Sequence, residues 1–316
     1  MADYMVEKAV EIRDFTKRFD KTVAVDELNL DIYDGEIFGL LGPNGSGKTT
    51  TLLTISTVYK PTSGDILVYG HSVVREDYVV RKLIGIAFQE PKAMWIDKPW
   101  DLLLWHAKIS GYSSSEAKSV VKDVMEELGL WEHRNKYFYQ LSGGTRKKVE
   151  LAKVLIQKPR LAILDEPTAQ VDVITKHVLW GIIKKMRDNG TTIIIATNDM
   201  FEAERVCERI GIIYRGKLRK VGSIDELKDT IPGGDILEIT IEEQHLSTSL
   251  INDLSVYGKT EANNNVIRIF MNKGEEKSLE ILEYLRKRGV SVKRIMIKEP
   301  TLDDVFMYIT GAKLRE

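Results

Sequence analysis

The stretch EIFGLLGPNGSGKTTTLLTI, residues 36–55, decides the fold. Its opening, EIFGLLG, reads as a buried strand, apolar from Ile37 to Leu41. A glycine-rich loop follows, then a helical pattern expected to end near Lys60, before Pro61. GPNGSGKT matches G-x-x-x-x-G-K-[ST], with Gly42, Gly47, Lys48 and Thr49 in the fixed places. Glycines let successive backbone N–H groups curl around phosphates, and the helix start adds its dipole. Lys48 can neutralise β- and γ-phosphates, and Thr49 can hold Mg²⁺. A glycine turn arising by chance would not come between a buried strand and a helix, which is the setting this chemistry requires.

Outward from this loop, the 316 residues are 43% hydrophobic and 29% charged, an ordinary globular composition. The length suggests two domains. The formal charge of -1 supplies no global basic field for nucleic acid, so anion chemistry must be local. Cys207 is the single cysteine, which rules out an internal disulfide framework and fits a reducing compartment. The charged start MADYMVEKAVEIRDF lacks an apolar core and does not read as a signal peptide. The longest apolar strings, such as TTIIIAT, are strand-sized, so no membrane-spanning segment is expected. His71, His106, His133, His177 and His245 are scattered and suggest no metal cluster.

Residues 6–40 read as strands, with a turn at Asp34-Gly35. SGDILVYG and LIGIAFQE are further strands. From about residue 91 to 157 the pattern turns helical, with a capping box at Ser113 and Glu116 and a stop at Gly129. The strands RLAILDEP and TTIIIATND then alternate with the helices VITKHVLWGIIKKMRDNG and FEAERVCERI. A hairpin follows around Arg215-Gly216. This alternation, with near-continuous apolar strands, predicts a mostly parallel sheet covered on both faces. A seam at Pro232-Gly233-Gly234 separates residues 1–230 from a small α+β domain over 231–316. That domain should hold the strands ILEITIE, VIRIF and VSVKRIMI and the helix EEKSLEILEYLRKRG.

Three other places carry chemistry. Asp165 and Glu166 end the apolar strand LAILDEP; beside a phosphate loop, such a pair can hold metal and orient or deprotonate water. Gln89 ends the strand GIAFQ, where its amide could touch Mg²⁺ or the attacking water, although an exposed Gln is usually just solvated. LSGG, Leu141 to Gly144, opens a helix with free N–H groups, a second anion-grasping start far from the first.

In this order and spacing, the loop at 42–50, Gln89, LSGG at 141–144, LDEP at 164–167, Asp172 and ATND at 196–199 resemble the ATP-binding subunit of an ABC transporter. The resemblance covers about residues 7–228. It implies an α/β P-loop NTPase domain with a mostly parallel sheet core, an antiparallel β subdomain and a helical insertion. The cofactors it implies are ATP and Mg²⁺. ATP would lie on Gly42, Pro43, Asn44, Gly45, Ser46, Gly47, Lys48, Thr49 and Thr50, with the metal on Thr49, Gln89 and Asp165. Glu166 would be the base, assisted by Lys48, Gln89 and Asn198. Phe19 resembles the aromatic that stacks on adenine, though it could equally pack in the core.

The resemblance also accounts for the second anion site. Two such subunits, identical or not, pack head to tail around two ATP molecules. Ser142, Gly143, Gly144 and Asp172 of each would then serve the nucleotide held by the other. A separate integral membrane permease completes the assembly, which places this chain on the cytoplasmic face of the membrane. No nucleic-acid partner is implied. Met94 and Trp95 in the helical insertion suit an interface, whereas Trp105 is expected in the core.

Asn198 stands where the family usually has His. An amide donates one hydrogen bond but cannot take the cationic form of imidazole. Either hydrolysis is slow but useful, or a non-identical partner supplies the better site. Intact Lys48, Gln89, Asp165 and Glu166 favour the first. The ending EPTLDDVFMYITG resembles the extension of daunorubicin-resistance-type exporter ATPases, with Leu302, Val305, Phe306 and Ile309 on one face of a helix. That helix could also simply close its own domain. Two competing functions are a soluble ABC-type ATPase acting on translation or DNA repair, and a nucleotide-switched regulator without useful hydrolysis. One cassette, without a basic surface, disfavours the former, and only Asn198 favours the latter.

Overall fold

The computed structural model describes residues 7–91, 93–242, 248–272 and 274–311; His245 falls outside them. The chain divides into two compact units, Met1–Val221 and Gly222–Glu316.

In the first unit, β1 (Lys8–Phe19) and β2 (Thr22–Tyr33) form a long hairpin, and β3 (Ile37–Leu41) runs into the glycine loop. Helix α1 (Lys48–Ile55), strands β4 (Ser63–Val68) and β5 (His71–Ser72), helix α2 (Asp77–Leu83) and strand β6 (Ile84–Ala87) follow. Helices α3 (Pro99–Ile109), α4 (Ser114–Glu127) and α5 (Gly143–Gln157) make the helical insertion. Then come β7 (Leu161–Asp165), α6 (Val173–Asp188), β8 (Thr192–Thr197), α7 (Met200–Val206), β9 (Arg209–Tyr214) and β10 (Lys217–Ser223).

One sheet has the order β2-β1-β4-β5, with its pairs antiparallel. The other has the order β10-β9-β3-β8-β7-β6, and β9, β3, β8, β7 and β6 run parallel. Every residue of β3, β7 and β8 is buried, which is why these strands read as unbroken apolar runs rather than alternating ones. One apolar cluster joins both sheets, from Ile12, Phe15 and Ile66 to Phe38, Leu52, Ile163 and Ile194. Register then fixes the site. Leu41 pairs with Thr197, Asp165 with Ala196, and Ala87 with Leu164. Four strands therefore end side by side, and the loops carrying chemistry leave from one edge.

Two expectations are corrected. Helix α1 stops at Ile55 rather than near Lys60. Thr57 adopts a left-handed φ of 64°, and the Val58 N–H reaches back to the Leu53 carbonyl at 2.9 Å, closing the helix end without a glycine. Trp105 is 61% exposed rather than in the core. The buried stripe of α3 is Pro99, Leu103 and Ala107, so Trp105 falls on the opposite side. Met94 and Trp95 are also exposed, and the Ser113–Glu116 capping box is present.

The second unit opens with α8 (Ile224–Lys228), ahead of Pro232–Gly234. It continues through β11 (Asp235–Ile241), α9 (Thr248–Leu254), β12 (Lys259–Asn263), β13 (Val266–Met271), α10 (Gly274–Lys287), β14 (Val292–Lys298) and α11 (Leu302–Thr310). The strands form an antiparallel sheet of order β12-β13-β11-β14. One face packs Leu237, Ile239, Ile267 and Ile269 against Leu250, Leu254, Ile281 and Leu285. Residues on the opposite pleat include Ile236, Glu238, Arg268 and Phe270, and here α11 buries Leu302, Val305 and Phe306.

Asp304 explains why the terminal phrase has an acid at that position. Its carboxylate is 3% exposed. One oxygen accepts from the Thr301 N–H at 3.0 Å and hydroxyl at 2.7 Å, completing a capping box. The other faces Lys298 at 3.4 Å and Arg268 at 3.7 Å, and Arg268 also donates to Glu238 at 3.0 Å. Removing one member of a buried charge cluster strands the others, at a cost of about 3 kcal/mol. Asp304→Ala should therefore speed amide exchange in β11 and β13 of the full chain about a hundredfold, if exchange proceeds by opening of this unit. Exchange at the parent rate would show that the cluster does not hold the unit together.

Candidate active site

The phosphate loop is shaped by its neighbours. A Cβ on Gly42 would stand 2.2 Å from the Ile213 carbonyl oxygen, and one on Gly47 would stand 2.7 Å from the Ala24 carbonyl oxygen. Gly47 also has a φ of 111°, a conformation side chains resist. Gly42, Pro43, Asn44, Gly45, Ser46 and Gly47 thus form a tight cradle between β3 and α1, and Lys48, Thr49 and Thr50 begin the helix. The Ser46 hydroxyl is buried without a hydrogen-bond partner. Lys48 is 5% exposed, and its ammonium donates to the Gly42 carbonyl at 2.7 Å and the Pro43 carbonyl at 3.2 Å. Burial pulls this ammonium below the usual lysine range, while Glu166 and Asp165 oppose the shift.

Across from the loop, Asp165 and Glu166 sit at the end of β7, 5% and 7% exposed. Burial raises the Asp165 carboxyl above its ordinary range; a hydrogen bond from Thr49 and the charge of Lys48 pull it back. One Asp165 oxygen is buried with no partner. Thr49 beside an unsatisfied buried carboxylate oxygen is a donor set that suits Mg²⁺, which binds few protein oxygens and leaves the rest to phosphate and water. Gln89, two residues past the end of β6, donates its amide to Glu166 Oε2 at 2.7 Å. Glu166 has a left-handed φ of 46°, and its N–H donates to the Ala196 carbonyl at 2.8 Å. Asn198, just past β8, donates to the Asn44 side chain at 3.3 Å, reaching the loop rather than the carboxylates.

The remaining predicted residues form a separate group. Ser142 N-caps α5, accepting from the Thr145 N–H at 3.2 Å. Cβ atoms on Gly143 and Gly144 would meet Gln170, Val171 and Thr175, not the phosphate loop. Asp172 N-caps α6 through Thr175, whose backbone and hydroxyl bonds hold its carboxyl below the usual range. Among the described residues, no hydrogen bond joins Ser142–Gly144 to Gly42–Thr50 of the same chain. Phe19 is 40% exposed, edge-on to Tyr59 at 5.3 Å with the Lys17 ammonium 4.9 Å from its ring. It belongs to the β1–β2 hairpin, which meets the loop at Ala24.

Sequence reasoning missed several residues around this site. Lys147 on α5 donates to the Gln89 carbonyl at 2.6 Å and the Glu166 carbonyl at 2.8 Å. The buried Glu202 accepts from Thr168 at 2.6 Å and Trp180 at 3.1 Å, and Lys176 pairs with Asp199 at 2.6 Å. A signal existed for the first. Lys147, Glu150 and Val154 share helical spacing, so charges lie on the buried stripe of α5 and must find partners there.

The ABC transporter family model matches residues 25–169, and that of the ATP-binding protein DrrA1-3-like C-terminal domain matches residues 222–310. The daunorubicin resistance ATP-binding protein DrrA3 of Streptomyces coeruleorubidus is 30% identical, with 97% of each chain covered. The linearmycin resistance ATP-binding protein LnrL of Bacillus subtilis is 30% identical over 97% of this chain and 100% of its own. Among solved structures, that titled "Dimeric Structure of MJ0796, a Bacterial ABC Transporter Cassette" superposes with a TM-score of 0.64 at 25% identity. It covers 68% of this chain and 98% of that one. Among the described residues, no helix is long and apolar enough to cross a membrane. A phosphate cradle facing an acidic pair, with a drug-resistance-type second unit, thus has full-length counterparts, and the chain belongs to the family of ABC transporter ATP-binding proteins as an ATPase related to those of drug-resistance exporters.

Proposed function

We propose that this chain is the energy-coupling subunit of an exporter, that two such subunits clamp ATP across their seam, and that a separate membrane permease uses the closure. The observation that carries this reading is the division of the site. The loop, Lys48, Asp165, Glu166 and Gln89 converge on one place, while Ser142, Gly143 and Asp172 stand apart and exposed, with Gly144 half-buried beside them. A triphosphate on the loop therefore needs donors from another chain to close it off from water. The solved relative whose title calls it dimeric supports the same reading. So does another solved structure, 25% identical with a TM-score of 0.63, described as a dimeric post-hydrolysis cassette bound to ADP and Pi.

In this proposal the loop N–H groups and Lys48 hold the phosphates, turning from the carbonyls Lys48 now contacts. Thr49 and Asp165 would hold Mg²⁺, whose chemistry there would be charge neutralisation of the phosphates. Glu166 accepts a proton from the attacking water, with Gln89 fixing which oxygen of its carboxylate is free. Asn198 supplies one neutral donor beside Asn44. Phe19 offers the adenine a half-exposed ring already braced by Tyr59.

Met94, Trp95 and Ile96 make an exposed apolar patch with Tyr139, suited to a protein groove. Trp105 and Ile109 add a second apolar strip on α3. This patch is our candidate for permease docking, which would place the chain at the cytoplasmic face of the membrane. The named roles of resistance and Nod factor export among relatives support an amphipathic cargo.

Three outcomes test the assignment. Lys48→Ala removes a charge-assisted contact of about 1.5–3 kcal/mol, so calorimetry should show ATP affinity falling tenfold or more. Glu166→Gln should bind ATP normally and elute as a dimer in gel filtration with ATP and Mg²⁺; a monomer alone would refute the shared site. Asn198→His offers a charge-assisted bond in place of a neutral one. A gain of about 1 kcal/mol would raise steady-state turnover about fivefold. A slower variant would mean that Asn198 is tuned to this loop rather than a weakened histidine.

A further inference from the structure

Lys147 lies outside every motif that singles out the site, yet it touches both halves of the hydrolytic machinery. It sits one turn into α5, the helix that Ser142 caps, and is 9% exposed. Its ammonium donates to the main-chain carbonyl of Gln89 at 2.6 Å and to that of Glu166 at 2.8 Å. The side chains of those two residues meet each other at 2.7 Å. The cation thus closes a ring, gripping by the backbone the two residues that also touch through their side chains. Glu166 needs such a grip. Its left-handed φ of 46° is a conformation that persists only where the surroundings over-determine it. Besides Lys147, the backbone holds on Glu166 among the described residues are the bond from its N–H to Ala196 and the acceptance of the Ala169 N–H at 3.2 Å.

We infer that Lys147 is a positioning residue for ATP hydrolysis, clamping Gln89 and Glu166 in the relation that leaves one carboxylate oxygen free for water. The inference rests on the proposed roles of Glu166 and Gln89. It adds a second duty for α5. The N-terminus of this helix would serve the nucleotide of the other subunit, while its second turn fixes the base for its own. The clamp binds no phosphate itself, so its loss should spare ATP binding and slow the chemical step.

The test is steady-state ATPase kinetics and ATP calorimetry on the full-length chain with Mg²⁺, with melting temperatures alongside. Lys147→Met keeps the stem and removes the ammonium; kcat should fall about tenfold or more, while KM and the Kd for ATP stay within about twofold. Lys147→Arg restores donors and should recover most of the turnover. The inference is overturned if Lys147→Met turns over within twofold of the parent. It is equally overturned if turnover falls only in proportion to ATP binding, or if the arginine variant is no better than the methionine one. Glu166→Gln, assayed beside them, separates the two levels. If it hydrolyses ATP at the parent rate, the assignment of Glu166 fails and the clamp falls with it. If it is inactive while Lys147→Met is unimpaired, only the clamp is wrong.

Discussion

Two carboxylates and two ammonium groups share the carboxyl ends of the central strands, all buried: Asp165, Glu166, Lys48 and Lys147. For Lys48, Lys147 and Asp165 burial is the leading influence on the proton equilibrium, pushing each toward its neutral form. Opposite charges nearby pull these three back: Lys48 and Lys147 act on Asp165 against its burial. Both carboxylates oppose the loss of protons from both lysines. The arrangement balances only while the strands β6, β7 and β8 keep their register with the loop after β3, so the sheet and the site hold each other in place. On the proposed reading, a triphosphate would enter a site whose cations are already desolvated, where electrostatic contacts are stronger than in water.

Much of this was legible in the sequence because the physics is local. A tight loop needs glycine at Gly42 and Gly47, and strands buried on both faces cannot alternate, so β3, β7 and β8 announce themselves as apolar runs. What was hidden depends on distant partners. The end of α1 carries no glycine because Thr57 takes the left-handed turn, which no local pattern signals. Trp105 looked like core because it is large and apolar, but only the phase of Pro99, Leu103 and Ala107 says which way α3 faces. Helix α9 and strand β12, absent from the sequence reading, are short; β12 is mostly exposed and joins the sheet through β13. Lys147 sits in the charged run TRKK; its spacing with Glu150 and Val154 marks it for the buried side, but its two carbonyl partners lie 58 and 19 positions away.

Helix α5 is where the separate parts of the first unit meet. Its cap, Ser142, is followed by two glycines whose neighbours are Gln170, Val171 and Thr175 rather than the chain's own loop. The next two side chains of interest point to different places. Arg146 donates to the carbonyls of Phe138 at 3.2 Å and Tyr139 at 3.1 Å, and its guanidinium stands 5.3 Å from the Trp95 ring. The Tyr139 N–H also donates to the Trp95 carbonyl at 3.2 Å, so the exposed aromatic loop is tied to α5 by backbone as well as side chain. Lys147, one residue on, is tied to Gln89 and Glu166.

A helix is stiff along its axis, and residues one apart cannot move independently in it. A displacement that pushes on Trp95 would therefore reach the carbonyl of Glu166 through two adjacent residues of one helix. The same would hold in reverse: closure of a second subunit on Ser142, as proposed, would pull the helix whose next turn carries Lys147. On the proposed reading, docking, dimer closure and water activation are three demands on one rigid element. That explains why its buried stripe carries charge where an apolar residue would pack more cheaply: a methyl group at position 147 could fill the space but could not hold two carbonyl oxygens in register.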